Sequence, residues 1–310
     1  MKGANAMLES FSEGIIQCGR KITIEELAEI KETIELFPNL SRNELAETLC
    51  ENLQWLTASG GHKKDACLKL LTKLEREGMV KLPEKRKIHM DAQRSKAISP
   101  TSRTAPQSDI ACSLKELGPV KLQVCNDRES TGLWNEYVSR YHYLGYKKPF
   151  GTFLRYFIMC DRGVLGCLLF AGAAKALGVR DKWIGWGDNQ RLRNLGWVIN
   201  NTRFLILKWV HVKNLASHVL GQVQRRIRED WYLRWGYRPV LMETFVDPER
   251  YSGSCYKASN WEYLGMTTGE GLVRKGKRYS TTPKMIFVRP LVKDFRSLLC
   301  SDQLKGRVEA

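Results

Sequence analysis

Histidine is scarce in this sequence, with five in 310 residues, and none of the nine cysteines is spaced as Cys-x-x-Cys. A Cys/His metal centre therefore lacks a ligand set, and an odd thiol count at irregular spacing is not a disulfide framework. Reduced thiols in a cytoplasmic protein fit this usage. Long apolar runs are also lacking: the longest, residues 164–174, stops at Lys175, short of the ~20 residues a membrane helix needs. No membrane partner is expected. The opening MKGANAMLESFSEG has no apolar stretch leading to a small-residue cleavage site, so no signal peptide is read. Negative charge is the minority sign, Asp+Glu 33 against Lys+Arg 50.

What is present suits a globular chain. Hydrophobic residues make up 43% of it, enough for a packed core, and the length fits two domains of roughly 100–200 residues. The net charge of +17 and pI of about 9.5 oppose compaction and point to a polyanion, DNA first. The charge is segregated. Residues 1–60 hold 5 basic and 10 acidic residues, residues 61–104 hold 12 and 5, and residues 190–240 hold 10 and 2.

Residues 20–37 carry helical apolar spacing and end before Pro38. Ser41 with Glu44 three residues on is a capping-box pattern that opens a second helix. A third follows Gly60-Gly61, with Leu70, Leu71 and Leu74 inward and Lys63, Lys64, Lys69 and Lys73 outward. Residues 79–83 read as a short strand. This order resembles a winged helix over 20–84, whose third helix would enter a DNA groove. Residues 85–112 read as a basic, flexible linker. Residues 113–295 read as one α/β domain, with a strand at 119–125, a helix at 133–143 and a hairpin at 152–170. A strand at 198–207, a helix at 214–231 and a strand at 239–246 come next. A short helix at 252–259 and strands at 261–266 and 285–288 complete it, and residues 296–310 are a tail.

That element order resembles the GNAT acetyltransferase fold, a mixed sheet with helices. The matching segments are NNTRFLILKWVHVKNLASHVLG and METFVDPERYSGSCYKASNWEYLG. The second is also similar to Mom-type phage DNA-modification proteins, in an aspartate followed by a Gly-x-x-Tyr-x-Ala-x-Asn-Trp run: Asp247, Gly253, Tyr256, Ala258, Asn260 and Trp261. A set of further motifs (YHYLGYKKPFG, LGCLLFAGAA, WIGW, RNL and LGMTTGEG among them) is similar to the DruA family of Druantia anti-phage defence systems, members of which also lie beside mobile elements. The resemblance implies defence or mobile-element function, with other defence-system proteins, including a helicase, as partners.

The candidate catalytic residues are Asp247, Tyr256, Asn260, Ser217 and Glu243. The GNAT resemblance implies that Tyr256 is the acid for a leaving group and that the helix end near Ser217 binds the phosphates of a coenzyme A donor. However, the glycine-rich loop of that family is missing from WVHVKNLAS. The candidate DNA contacts are Lys63, Lys64, Lys69, Lys73, Arg191, Arg193, Arg203, Arg225, Arg226 and Arg228. Arg274, Lys275, Lys277 and Arg278 of a late basic loop join them, because arginine forks suit phosphates. No metal ligand set is assigned. Three functions stay open: a DNA-modifying or DNA-processing enzyme; a nuclease or transposase holding Mg²⁺ through Glu243 and Asp247; and a non-catalytic DNA sensor or scaffold that recruits a helicase-type partner. Tyr141, His142 and Tyr143 read as a helix end, and Cys255 as a packed thiol.

Overall fold

The computed structural model describes residues 14–84, 98–149, 151–269 and 281–306. The chain makes two compact units. One takes residues 1–94, 187–194 and 301–310, and the other residues 95–186 and 195–300.

The first unit opens with a hairpin, β1 (Ile15–Gln17) and β2 (Arg20–Ile22), so the first three residues of the helix expected over 20–37 are strand. Three helices follow: α1 (Ile24–Leu36), α2 (Arg42–Asn52) and α3 (Lys64–Arg76). The first helix starts late because Thr23 and Glu26 form a capping box. Ser41 and Glu44 form the second, as their spacing predicts. Ile30, Leu45, Leu49, Leu70, Leu71 and Leu74 are fully buried in one core. The expected wing strand is not there. Residues 79–84 form no strand, because Leu82 is buried and Arg42 on α2 donates to the Pro83 carbonyl at 2.7 Å while pairing with Glu75. The segment is tied back onto the helices instead of projecting.

The second unit starts inside the predicted linker. Residues 85–97 lie outside the described residues, but 98–112 are ordered. Thr101 and Thr104 bond the buried Glu136 carboxylate, and β3 (Ile110–Cys112) pairs in parallel with a later strand. Then come α4 (Leu114–Leu117), β4 (Lys121–Val124), α5 (Arg128–Tyr141), β5 (Phe153–Cys160) and β6 (Gly163–Gly172). Next are α6 (Gly178–Ile184) and α7 (Asp188–Asn194), the latter belonging to the first unit. β7 (Val198–Ile206), β8 (Val210–Val212), α8 (Leu215–Trp235) and β9 (Leu241–Val246) follow. The last are α9 (Ser254–Ala258), β10 (Glu262–Met266), β11 (Met285–Pro290) and α10 (Phe295–Leu299), so part of the expected C-terminal tail is helical.

Seven strands form one sheet in the order β4-β5-β6-β7-β9-β11-β10. Every neighbour is antiparallel except β7 and β9. This is the α/β class and GNAT-like order expected from the sequence. The parallel pairing covers only residues 198–201 with 241–244. Beyond it the two strands part, and the split leaves room for a site at the centre of the sheet. α8 buries Val219, Leu220, Val223, Ile227 and Trp231 completely, at helical spacing, and ends at Gly236 in the left-handed conformation.

Candidate functional site at the strand split

A cavity of about 440 Å³ occupies the split, walled by the far ends of β7 and β9, the end of α5 and the start of α9. That volume lies in the range of roughly 300–1,000 Å³ typical of small-molecule sites. Tyr256 enters it from α9. Its hydroxyl donates to Asn201 Oδ1 at 2.7 Å. Asn201 is held by its own amide, which donates to the Leu169 and Arg203 carbonyls at 3.1 and 3.0 Å. Trp261 meets the Tyr256 ring edge-on at 5.1 Å, and Phe287 stacks on it at 5.7 Å. Burial raises the Tyr256 pKa, so the phenol stays protonated across the physiological range. Gly253 makes the approach possible. Its φ is +70°, and a Cβ there would lie 2.6 Å from the Phe287 ring.

Asp247 lines the same cavity just past β9. It accepts from Lys284 Nζ at 2.8 Å and from the Glu249 amide at 3.3 Å. The Lys284 bond holds its carboxyl below the ordinary value. The cavity thus offers a neutral phenol, able to donate, beside a carboxylate, able only to accept. His142 also lines it. Burial, assisted by Arg203, depresses its pKa to about 4, and Nδ1 accepts from the Leu144 amide at 3.2 Å. The imidazole is therefore neutral, with its proton on Nε2. Burial raises the half-buried Cys255 thiol, which also suits packing better than nucleophilic attack.

The other predicted catalytic residues lie elsewhere. Successive strand residues face opposite ways. Thr244 faces the Tyr256 side of the sheet, with its hydroxyl on the Asn201 carbonyl at 3.0 Å, and Glu243 faces the other. Glu243 is fully buried and pairs with the fully buried Arg180 at 2.7 Å. Burial pushes its carboxyl up, and the guanidinium opposes that push. Glu243 and Asp247 thus do not share a site, and among the described residues no group of three or more His, Cys, Asp or Glu could hold a metal. Ser217 and Asn260 line a second cavity of about 420 Å³ with Gly221, Gln224, Arg225 and Arg289. There Ser217 Oγ donates to the Asn214 carbonyl, and the Asn260 carbonyl accepts from Arg289.

The GNAT likeness implies coenzyme A, whose pyrophosphate needs open backbone amides between β7 and α8. The connection here is differently built. β8 within it is paired with β3, it contains no glycine, and the Ser217 hydroxyl is turned back to Asn214. The loop thus departs from the family's glycine-rich pattern, while the first amides of α8 carry no side-chain cap.

The predicted DNA contacts are dispersed. On α3, Lys64 and Lys69 are exposed, but Lys64 reaches Glu47 at 3.3 Å and burial lowers the pKa of Lys63. Lys73 is half-buried. Arg191 pairs with Asp188, and Arg193 pairs with Asp302 and bonds the Gly19 carbonyl, all within the first unit. In the second unit, Arg203 bonds the Gly145 carbonyl, Arg226 pairs with Asp230, and Arg228 bonds the Pro239 carbonyl. Arg225 stands exposed at the second cavity. Arg274, Lys275, Lys277 and Arg278 lie outside the described residues. No described helix is long and apolar enough to cross a membrane.

Four residues of the cavity wall are not marked by the sequence patterns: Asn201, Thr244, Arg250 and Tyr251. Asn200-Asn201 within an apolar strand was the usable signal, since a buried amide needs a partner. Nothing local marked the others.

The strand order, the single parallel pair and the aromatic-lined split define an α/β protein of GNAT-like fold. The chain belongs to the DruA family: the model described as Druantia protein DruA matches residues 73–276. No curated protein matches the sequence. Among solved structures, an acetyltransferase from Bacillus subtilis with CoA is similar, at 7% identity and TM-score 0.33, over 56% of this chain and all of that one. An aminoglycoside acetyltransferase, AAC(6')-Ib, with coenzyme A has 14% identity and TM-score 0.35, over 59% of this chain and all of that one. An N-acetyltransferase from Staphylococcus aureus has 9% identity and TM-score 0.33, over 56% of this chain and 99% of that one.

Proposed function

We propose that this chain is a cytoplasmic, DNA-binding anti-phage defence protein whose second unit modifies DNA in the cavity at the strand split. Family membership supports the defence role. The observation that carries the chemistry is the buried Tyr256–Asn201 pair in the same cavity as the Asp247 carboxylate. In a group transfer, the phenol kept neutral by burial turns its proton from Asn201 Oδ1 to the departing atom, takes up in exchange the proton that the modified group loses, and donates again to Asn201. Asp247 accepts a hydrogen bond from the group being modified and so orients it. Other Druantia components, a helicase-type protein among them, are the natural partners.

The test has two arms. Tyr256→Phe and Asp247→Asn should each abolish phage protection while fold and affinity for fully paired DNA persist. Protection retained in both variants would sink the enzymatic reading and favour a binding module. DNA affinity should fall steeply with salt, as counterion release requires. Undetectable or salt-independent binding in a gel-shift titration would sink the DNA part.

A further inference from the structure

We infer that Tyr143 and Tyr251 form an aromatic platform at the cavity mouth that takes one unstacked nucleobase bearing an exocyclic amino group. The inference rests on the reading that DNA is the ligand, and it names the part of DNA that enters the site. Both rings line the cavity and both are exposed, Tyr143 to 39% and Tyr251 to 56%. Tyr232 and Tyr263 are exposed as well but are not among the residues that wall this cavity, and Tyr137, Tyr156 and Tyr237 are buried in the core.

The two exposed rings lie 6.0 Å apart at 54°. Tyr143 is backed by the neutral His142, stacked on it at 4.9 Å and 23°, and the Arg250 guanidinium stands 4.9 Å from the Tyr143 ring. Open aromatic surface stiffened from behind is what stacks a base, whatever its identity.

Arg250 stands over the platform, and two further cations follow Tyr143 closely in the chain. Lys147 and Lys148 are exposed just beyond Tyr143, and Arg250 is exposed beside Tyr251. This suits the phosphates flanking one base better than an uncharged aromatic ligand. A cavity of about 440 Å³ admits no duplex, so the base must leave its stack to reach Asp247 and Tyr256. The ionised Asp247 can only accept: an exocyclic amino group meets it with two N–H donors, whereas thymine offers the single imino N–H of N3.

The test compares three DNA duplexes by fluorescence anisotropy: fully paired, with one unpaired cytosine, and with one unpaired thymine. The wild-type chain should prefer the unpaired cytosine over the paired duplex by about tenfold or more, the effect of one stacked base. It should favour unpaired cytosine over unpaired thymine. Tyr143→Ala with Tyr251→Ala should erase the preference for an unpaired base and leave paired-duplex affinity unchanged. Tyr143→Phe with Tyr251→Phe, which keeps both rings, should restore it. Asp247→Asn should reduce only the cytosine-over-thymine preference. A preference that survives the double alanine change, or that is absent from a wild-type chain that does bind DNA, overturns the platform and leaves the DNA reading standing. A wild-type chain that binds none of the three overturns both.

Discussion

Arg180→Met is the most informative single perturbation of stability, because it decides what Glu243 is for. Arg180 has no exposed surface. Its Nη1 donates to Glu243 Oε2 at 2.7 Å and to the Ala174 carbonyl at 2.9 Å, and its Nε and Nη2 both reach Asp181 Oδ1. Glu243 in turn accepts the Ala174 amide at 2.7 Å. Removing the guanidinium leaves a carboxylate in the core without its counter-charge, which costs about 3–5 kcal/mol, a large share of the roughly 5–15 kcal/mol that holds a domain together. Adding Glu243→Gln removes the orphan charge and keeps an oxygen for the Ala174 amide. The double variant should therefore recover about 2 kcal/mol relative to Arg180→Met. The pH dependence has a definite sign. Without Arg180, burial and the neighbouring Asp181 push Glu243 up against the Ala174 amide bond, so its folded pKa lies above the unfolded value of about 4.3. Stability is then highest below that value and falls as pH rises, by up to about 1.4 kcal/mol per unit. The assay is urea unfolding followed by near-ultraviolet circular dichroism at pH 5 and pH 7.5, with hydrogen exchange of β9 amides as the local readout. A single variant as stable as wild type, a double variant no better than the single, or a loss independent of pH would refute the reasoning. Phage protection by the double variant should follow its recovered stability. A stable double variant without protection would return Glu243 to the list of functional residues.

Two further outcomes follow from single positions. Gly253→Ala forces a side chain into a left-handed φ and against Phe287. It should cost about 2–4 kcal/mol and displace Tyr256, seen as a lower melting temperature with loss of protection. Arg225→Glu touches an exposed side chain at the second cavity. It should leave melting unchanged but weaken DNA binding and lower the salt slope by about one, and an unchanged slope would remove Arg225 from the DNA contacts.

Much of the fold was legible because its signals are local. A capping box spans three residues, so Ser41 and Glu44 announced α2 without any knowledge of the core. Apolar spacing placed α1, α3 and α8 and the strands of the sheet, the order of those elements carried the GNAT-like topology, and a set of separate motifs carried the DruA resemblance. Where tertiary contacts compete with local pattern, the reading and the molecule diverge. Residues 79–83 alternate like a strand, yet Arg42 ties them to α2. Residues 98–112 look like linker, yet Glu136 gathers Thr101 and Thr104.

The candidate site shows the same division more sharply. The residues named from sequence, Asp247, Tyr256, Asn260, Ser217 and Glu243, are distributed over two cavities and one buried ion pair. Tyr256 lies 55 residues from Asn201, the group that receives its hydrogen bond, and no local pattern encodes a contact across that distance. Glu243 and Thr244 are adjacent in sequence, and the pleat turns one toward Arg180 and the other toward Tyr256. By itself the sequence determined the long helices and the strands of the main sheet, how its charge is divided and which family it joins, because these depend on neighbours along the chain. The choice of side chains that share a cavity fell to the tertiary structure, because strand pairing sets facing and separation only once the sheet has closed.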